Sequence, residues 1–210
     1  MIENIHWLGH DTFRIENDKI IYIDPYELKG KPPKADLILI THDHSDHCSP
    51  DDVAKIAQDD TVIVTIAAAA RRLKGDVRVV KPDESLVVQG VPIETVSAYN
   101  VNKFRSPGVP FHPKESGHVG FIITVGGKRI YHAGDTDVIP EMDDIEADIA
   151  LVPVGGTYTT TADEAAQAAN RIKPKVAIPM HYGAIVGSDM DAQLFRDLCD
   201  MEVVILSQEG

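Results

Sequence analysis

The run Thr41-His42-Asp43-His44-Ser45-Asp46-His47-Cys48 sets three imidazoles and two carboxylates in eight consecutive residues. Ahead of it, Ala35 to Ile40 is an apolar, β-branched stretch that reads as a buried strand. Behind it, Ser49-Pro50-Asp51-Asp52-Val53 offers a capping hydroxyl and a first-turn proline, the start of a helix. The cluster therefore occupies a strand-to-helix loop, and in open α/β sheets ligands gather at the carboxyl ends of strands. A polar capping loop with idle histidines is the alternative, and the density of donors argues against it.

Neutral imidazole nitrogen and carboxylate oxygen bind zinc-like ions at about 2.0–2.2 Å. The spacing suits two ions. His42 and His44, two apart on near-extended chain, can face one side, while Asp46 and His47 lie past the bend and can turn to a second ion.

His42-x-His44-x-Asp46-His47 resembles the signature of the metallo-β-lactamase superfamily. The resemblance implies an α/β fold, a four-layered αβ/βα sandwich, with two divalent ions at one edge between the sheets and further ligands from later loops. It implies zinc first, with manganese or iron as alternatives.

The N-terminal runs Ile5 to Leu8, Thr12 to Glu16 and Lys19 to Pro25 alternate and read as an antiparallel meander. Asp24 matches the superfamily's first motif aspartate, which by resemblance supports the metal site from behind a ligand; a strand-end turn aspartate is the other reading. Pro50 to Gln58 and Ala67 to Leu73 read as helices between strands at Thr61 to Thr65 and Val77 to Lys81. The runs Ser85 to Val88 and Ile93 to Ala98 lead to an irregular segment, Tyr99 to Gly117, long enough to suggest a role.

A third-motif histidine belongs near this segment, but Ala98-Tyr99-Asn100 offers asparagine where the simpler superfamily pattern has it. Proline-bracketed His112 is the preferred candidate and His118, opening the strand Val119 to Val125, its competitor. That strand joins Lys128 to His132 through Gly126-Gly127, a hairpin signal. Gly134-Asp135-Thr136 resembles the fourth motif, whose aspartate bridges the ions. His132 reads as a packed strand residue and Asp137 as a turn or helix starter. Asp148 to Val154 is a buried strand, Thr161 and Glu164 form a capping box for a helix from Ala162 to Ile172, and the strand Lys175 to Met180 delivers His181, which resembles the last histidine ligand. A helix from Asp189 to Cys199 and a strand from Val203 to Ser207 close the chain.

By resemblance, then, His42, His44 and His112 hold the first ion, Asp46, His47 and His181 the second, and Asp135 bridges. Asp46 is expected both to ligate and to handle the proton. Within the superfamily the Gly-His-Asp opening, Tyr131 to Asp137 and Met180 to Gly183 look most like small hydrolases related to ascorbate-6-phosphate lactonase.

A formal charge of -13 argues against a nucleic-acid surface, and the 210 residues leave no room for the inserted domain of the superfamily's RNA-processing nucleases. Cys48 and Cys199 suggest no disulfide framework, no leader peptide is read at the N-terminus, and no apolar stretch approaches the roughly 18 residues of a membrane span. A single domain over 1–210 is expected, in the cytoplasm, with no membrane or nucleic-acid partner, open to homo-oligomer formation. Its activity would be hydrolysis of a small anionic ester, lactone or phosphodiester by a water whose pKa the ions lower toward about 7. Because Tyr99 to Gly117 holds Lys103, Arg105 and Lys114 against the single acid Glu115, these three cations are expected to clamp the anion. Two readings stay open beside hydrolysis: mononuclear iron oxidation of persulfides, and metal binding without turnover. Di-iron electron transfer is disfavoured by His44, where that variant usually has glutamate.

Overall fold

The computed structural model describes residues 2–209. A short 3-10 turn leads into β1 (Ile5–Gly9), β2 (Thr12–Glu16) and β3 (Ile20–Ile23), an antiparallel meander. The chain then continues in parallel: β4 (Leu37–Ile40), α1 (Pro50–Ile56), β5 (Val62–Thr65), α2 (Ala67–Ala70) and β6 (Asp76–Val79), giving a six-stranded sheet in the order of its sequence. All four residues of β4 are buried, as a parallel strand covered on both faces requires.

The second sheet opens with β7 (Ser85–Val88) and β8 (Val91–Ser97). A small hairpin, β9 (Phe104–Ser106) and β10 (Val109–Pro110), stands apart from both sheets. The sheet resumes with β11 (Val119–Val125), β12 (Lys128–His132), β13 (Ile149–Pro153), α3 (Ala162–Ile172), β14 (Val176–Met180), α4 (Asp189–Leu198) and β15 (Glu202–Val203). Its order is β15-β14-β13-β12-β11-β8-β7, antiparallel from β7 to β12 and parallel from β12 to β15. In α3 a stripe of buried alanines lets the helix lie close on β13, and the Thr161–Glu164 capping box starts it as the sequence indicates.

The two sheets meet across a shared apolar core. Trp7 of β1 stacks on Tyr182 just past β14 at 4.8 Å between ring centroids, and Phe13 of β2 meets His132 of β12 edge-on at 5.8 Å. With α3 and α4 outside the second sheet and α1 and α2 in the crossovers of the first, the expected layered α/β sandwich results. Among the described residues no helix is long and apolar enough to cross a membrane.

Two expectations need correction. The strand expected over Val203 to Ser207 ends after Val203. The chain beyond leaves its own sheet and docks on β1, where Glu209 N donates to Trp7 O at 2.8 Å. The segment Tyr99 to Gly117 is not wholly irregular, since it holds the β9–β10 hairpin and a 3-10 turn at Lys114–Ser116. Among the described residues that hairpin pairs only with itself, and β9 is fully exposed, so no alternation of apolar residues announces it.

Gly155, after β13, ties the fold to what lies at the sheet ends. A Cβ there would overlap the carbonyl oxygen of His181 and come within 3.0 Å of its Nδ1. Gly155→Ala should therefore cost about 1–3 kcal/mol in chemical denaturation and shift the His181 ring resonances; an unchanged midpoint and spectrum would show that the neighbouring chain yields freely.

Candidate metal centre

The carboxyl ends of the parallel strands in both sheets converge on one point. Asp24 follows β3, Thr41 and His42 follow β4, Asp135 follows β12 and His181 follows β14. The sheets are sewn together there: Val119 N donates to Thr41 O at 3.2 Å and His181 N to His10 O at 3.1 Å.

On one side lie His42, His44 and His112, whose inward nitrogens fall within 4.8 Å of one another. The Thr41 hydroxyl donates to Asp24 Oδ2 at 2.6 Å and so accepts from His42 Nδ1 at 3.0 Å. His42 Nε2 is left buried and without a partner. Asn100 Oδ1 accepts both the backbone N–H of His112 at 2.8 Å and its ring Nδ1–H at 2.9 Å. A carbonyl oxygen only accepts, so His112 carries its proton on Nδ1 and turns a bare Nε2 inward, 3.2 Å from His44 Nδ1.

On the other side His10, Asp46, His47 and His181 form a second donor set, and Asp11, His47, Asp135 and His181 a third that overlaps it. Asp24 Oδ2 accepts from His47 Nδ1 at 2.8 Å, which again leaves Nε2 facing inward and unpaired. Asp24 Oδ1 also accepts from Thr41 N at 2.8 Å, so this one buried carboxylate orients a histidine of each set, the first through Thr41. Its role is that of an internal support rather than a turn residue. Asp46, 21% exposed, holds Oδ2 at 3.2 Å from His10 Nε2.

Asp135 lies between the sets. Its Oδ2 is 3.2 Å from His112 Nε2 and 4.0 Å from His42 Nε2, while Oδ1 is 3.3 Å from His47 Nε2 and 3.4 Å from His181 Nε2. Burial opposes charge on this carboxylate, yet His181, His47 and His112 together hold it well below the usual range. Burial likewise opposes charge on His47 and His181, but Asp135 with Asp24 or Asp11 outweighs it, and His181 is pushed up to about 9. His42 is lowered by burial, and His112 falls to about 4 for the same reason, so both are neutral at pH 7. Burial pushes the Asp11 carboxyl well above its ordinary range despite His181 and His47.

A buried polar atom without a partner is costly, and here His42 Nε2, His47 Nε2, His181 Nε2 and Asp135 Oδ1 are all orphaned and face one another. Nitrogen and oxygen donors in this number fit divalent cations.

All seven sequence-predicted ligands thus come together. His118 does not join them: it stacks on His42 at 4.8 Å with Nε2 directed to Asp43 Oδ1, 3.7 Å away. Cys48 is buried and free, outside every donor set, and its thiol is raised to about 11 by burial. His132 is the packed strand residue expected, Nε2 donating to Asp11 O at 2.9 Å. Asp137 is not a helix starter: it is buried and its Oδ2 accepts from Val101 N and Asn102 N at 2.7 and 2.8 Å. Sequence reasoning missed His10, Asp11 and Asn100. The first two stand in a turn between two strands, beside Gly9 at φ +112°, with His10 itself at φ +51°, and that Gly-His-Asp turn was the available signal.

Beside the donors opens a cleft of about 350 Å³ bounded by Tyr26, His44, Asp46, Arg105, Phe111, His112, Asp135, Tyr158 and Ile185. Of the three expected anion clamps only Arg105 reaches it. Lys103 is held by Glu164 at 2.6 Å and Lys114 by Glu141 at 2.6 Å. Each meets an acid brought near by folding from a distant part of the chain, so the cationic excess of the segment is largely neutralised.

Comparison with known proteins gives the family. A family model described as a beta-lactamase superfamily domain matches residues 4–181. A UPF0173 metal-dependent hydrolase of Thermoplasma acidophilum is 34% identical over 211 residues, covering 92% of this chain and 89% of the relative. One from Archaeoglobus fulgidus is 34% identical over 230 residues, with 96% and 95% covered. A crystal structure assigned to the metal-dependent hydrolases, from Parabacteroides distasonis, matches with a TM-score of 0.86 at 33% identity over 98% of this chain and 93% of that one. With the sandwich, the motif order and relatives that align over nearly their whole length, the chain belongs to the metallo-β-lactamase superfamily, in its UPF0173 group of metal-dependent hydrolases.

Proposed function

We propose that the chain hydrolyses a small anionic ester, lactone or phosphodiester at a two-ion centre. The observation that carries this reading is Asp135, whose two oxygens each face a separate set of inward imidazole nitrogens at the floor of an open cleft. His42, His44 and His112 would hold one ion, Asp46, His47 and His181 the other, with Asp135 shared; the nitrogen-rich set suits zinc best. Bound there, such ions supply an acidified water and a Lewis acid for the electrophilic oxygen.

The chain's own part is orientation and proton handling. Asp24, Thr41 and Asn100 hold three imidazoles with Nε2 turned inward. Asp46 is the carboxylate of the set that reaches the cleft with partial exposure, and the His10 hydrogen bond aims it, so it is placed to take a proton from water and return it to the leaving group.

Elemental analysis of saturated protein should give two ions per chain, and an esterase, lactonase and phosphodiesterase panel should show turnover that chelation abolishes. One ion at saturation would sink the two-centre reading, and iron with oxygen consumption would replace it by oxidation.

His112→Ala should lower metal occupancy about 10-fold or more, and Asn100→Leu should follow it in direction, because a ligand's support matters nearly as much as the ligand. His118→Ala should leave occupancy near the parent's. The reverse pattern would assign the third position to His118.

Metal uptake should also depend on pH with a definite sign. His181, raised to about 9 by Asp135 and Asp11 against burial, is protonated at neutral pH before the ion enters, so a cation must displace that proton. Affinity at the Asp46–His47–His181 side should rise as pH rises toward about 9, with proton release measurable in weakly buffered titrations. Affinity that falls as pH rises would contradict the assignment.

A further inference from the structure

We infer that the cleft selects small acids carrying an anionic group on an apolar, ring-sized body, with Arg105 recognising the charge and Phe111 and Tyr158 the body. The inference rests on the proposed function, in that this cleft is where substrate meets the ions.

Three observations converge. First, Arg105 faces the cleft, and among the described residues it has no carboxylate within ion-pair reach, whereas Lys103 and Lys114 are spent on Glu164 and Glu141 and lie outside it. Its guanidinium sits 5.7 Å above the Phe111 ring, a cation–π contact that fixes its direction on an otherwise exposed hairpin. Second, Phe111 meets Tyr158 edge-on at 4.8 Å, so the hairpin segment and the loop after β13 form one aromatic wall; Asn100 Nδ2, donating to Tyr158 O at 2.9 Å, braces it. Third, Ile185, 46% exposed, adds apolar surface to the lining, and about 350 Å³ lies at the small end of ligand clefts, a size that suits a small molecule. Apolar walls and one fixed cation at a rim, above a polar floor, call for a ligand with the same division.

A hydrogen-bonded charge contact at such a site changes affinity by a factor of roughly 10 to 150. The test is calorimetric titration of the metal-loaded protein with benzoate, benzamide and acetate at fixed metal content. Benzoate should bind more tightly than either of the others. Arg105→Gln should weaken benzoate about 10-fold or more and leave benzamide unchanged, and Phe111→Ala should bring benzoate down toward acetate. Lys114→Gln should alter none of the three. Equal effects of Arg105→Gln on benzoate and benzamide, acetate binding as tightly as benzoate, or no benzoate binding would overturn the inference. A matched ester pair, phenyl acetate and para-acetoxybenzoate, separates it from the functional reading. Arg105→Gln should raise KM for the charged ester alone. Benzoate binding that follows Arg105 with neither ester cleaved would mean that recognition is right and hydrolysis wrong; cleavage of both esters indifferent to Arg105 would mean the opposite.

Discussion

A carboxylate buried to 3% exposure at the meeting point of two sheets governs the arrangement of everything near it. An ionised group out of water is tolerated only with compensating charge and hydrogen bonds. Asp135 obtains its compensation from His42, His47, His112 and His181, drawn from loops far apart in sequence. In the protein alone that compensation is shared with protons: His47 and His181 are raised because Asp24 or Asp11 adds to Asp135, while His42 and His112, desolvated and with no such second acid, stay neutral. Divalent ions would supply the same charge at the same place.

The support extends outward in a chain of obligations. Asp24 at φ +46°, His10 at φ +51° and His181 at φ +59° all adopt the left-handed backbone that side chains resist, at a cost of about 1–3 kcal/mol each. Hydrogen bonds over-determine them: Asp24 is held by Thr41 and His47, and the His10 carbonyl accepts from both Trp7 Nε1 and His181 N. Stability is given up at the site and recovered from the apolar core behind it. The loop that carries Asp135 also carries Asp137, which pins Val101 and Asn102 and so fixes the base of the segment that delivers His112. One short loop thus supplies the central charge and anchors the segment bearing a partner for it.

Much of this was legible in advance because it is local. A strand-to-helix loop dense in histidine, a Gly-Asp-Thr after a strand and a histidine after another strand each carry their signal within a few residues, and α3 with its capping box is written in the spacing of Thr161 and Glu164. The histidine of the third position is harder, because proline brackets favour His112 without excluding His118. What separates them is the Asn100 carbonyl, twelve residues upstream, against the ring stacking and Asp43 neighbour of His118. His10 and Asp11 read as turn residues, because the Gly-His-Asp pattern is their one local mark and the closing of the opposite sheet on that turn is a long-range event.

The sequence by itself determined the alternation of strands and helices, the donors of the central loop and the order in which later donors arrive, since these follow from periodicity and from residue chemistry at short range. Only the tertiary structure decided which donors share a centre, which nitrogen each imidazole presents, and which cations stay unspent. Lys103 and Lys114 look like anion clamps until folding brings Glu164 and Glu141 within 2.6 Å of them. Charge acts through space, and the distances that set its strength do not exist until the two sheets have met.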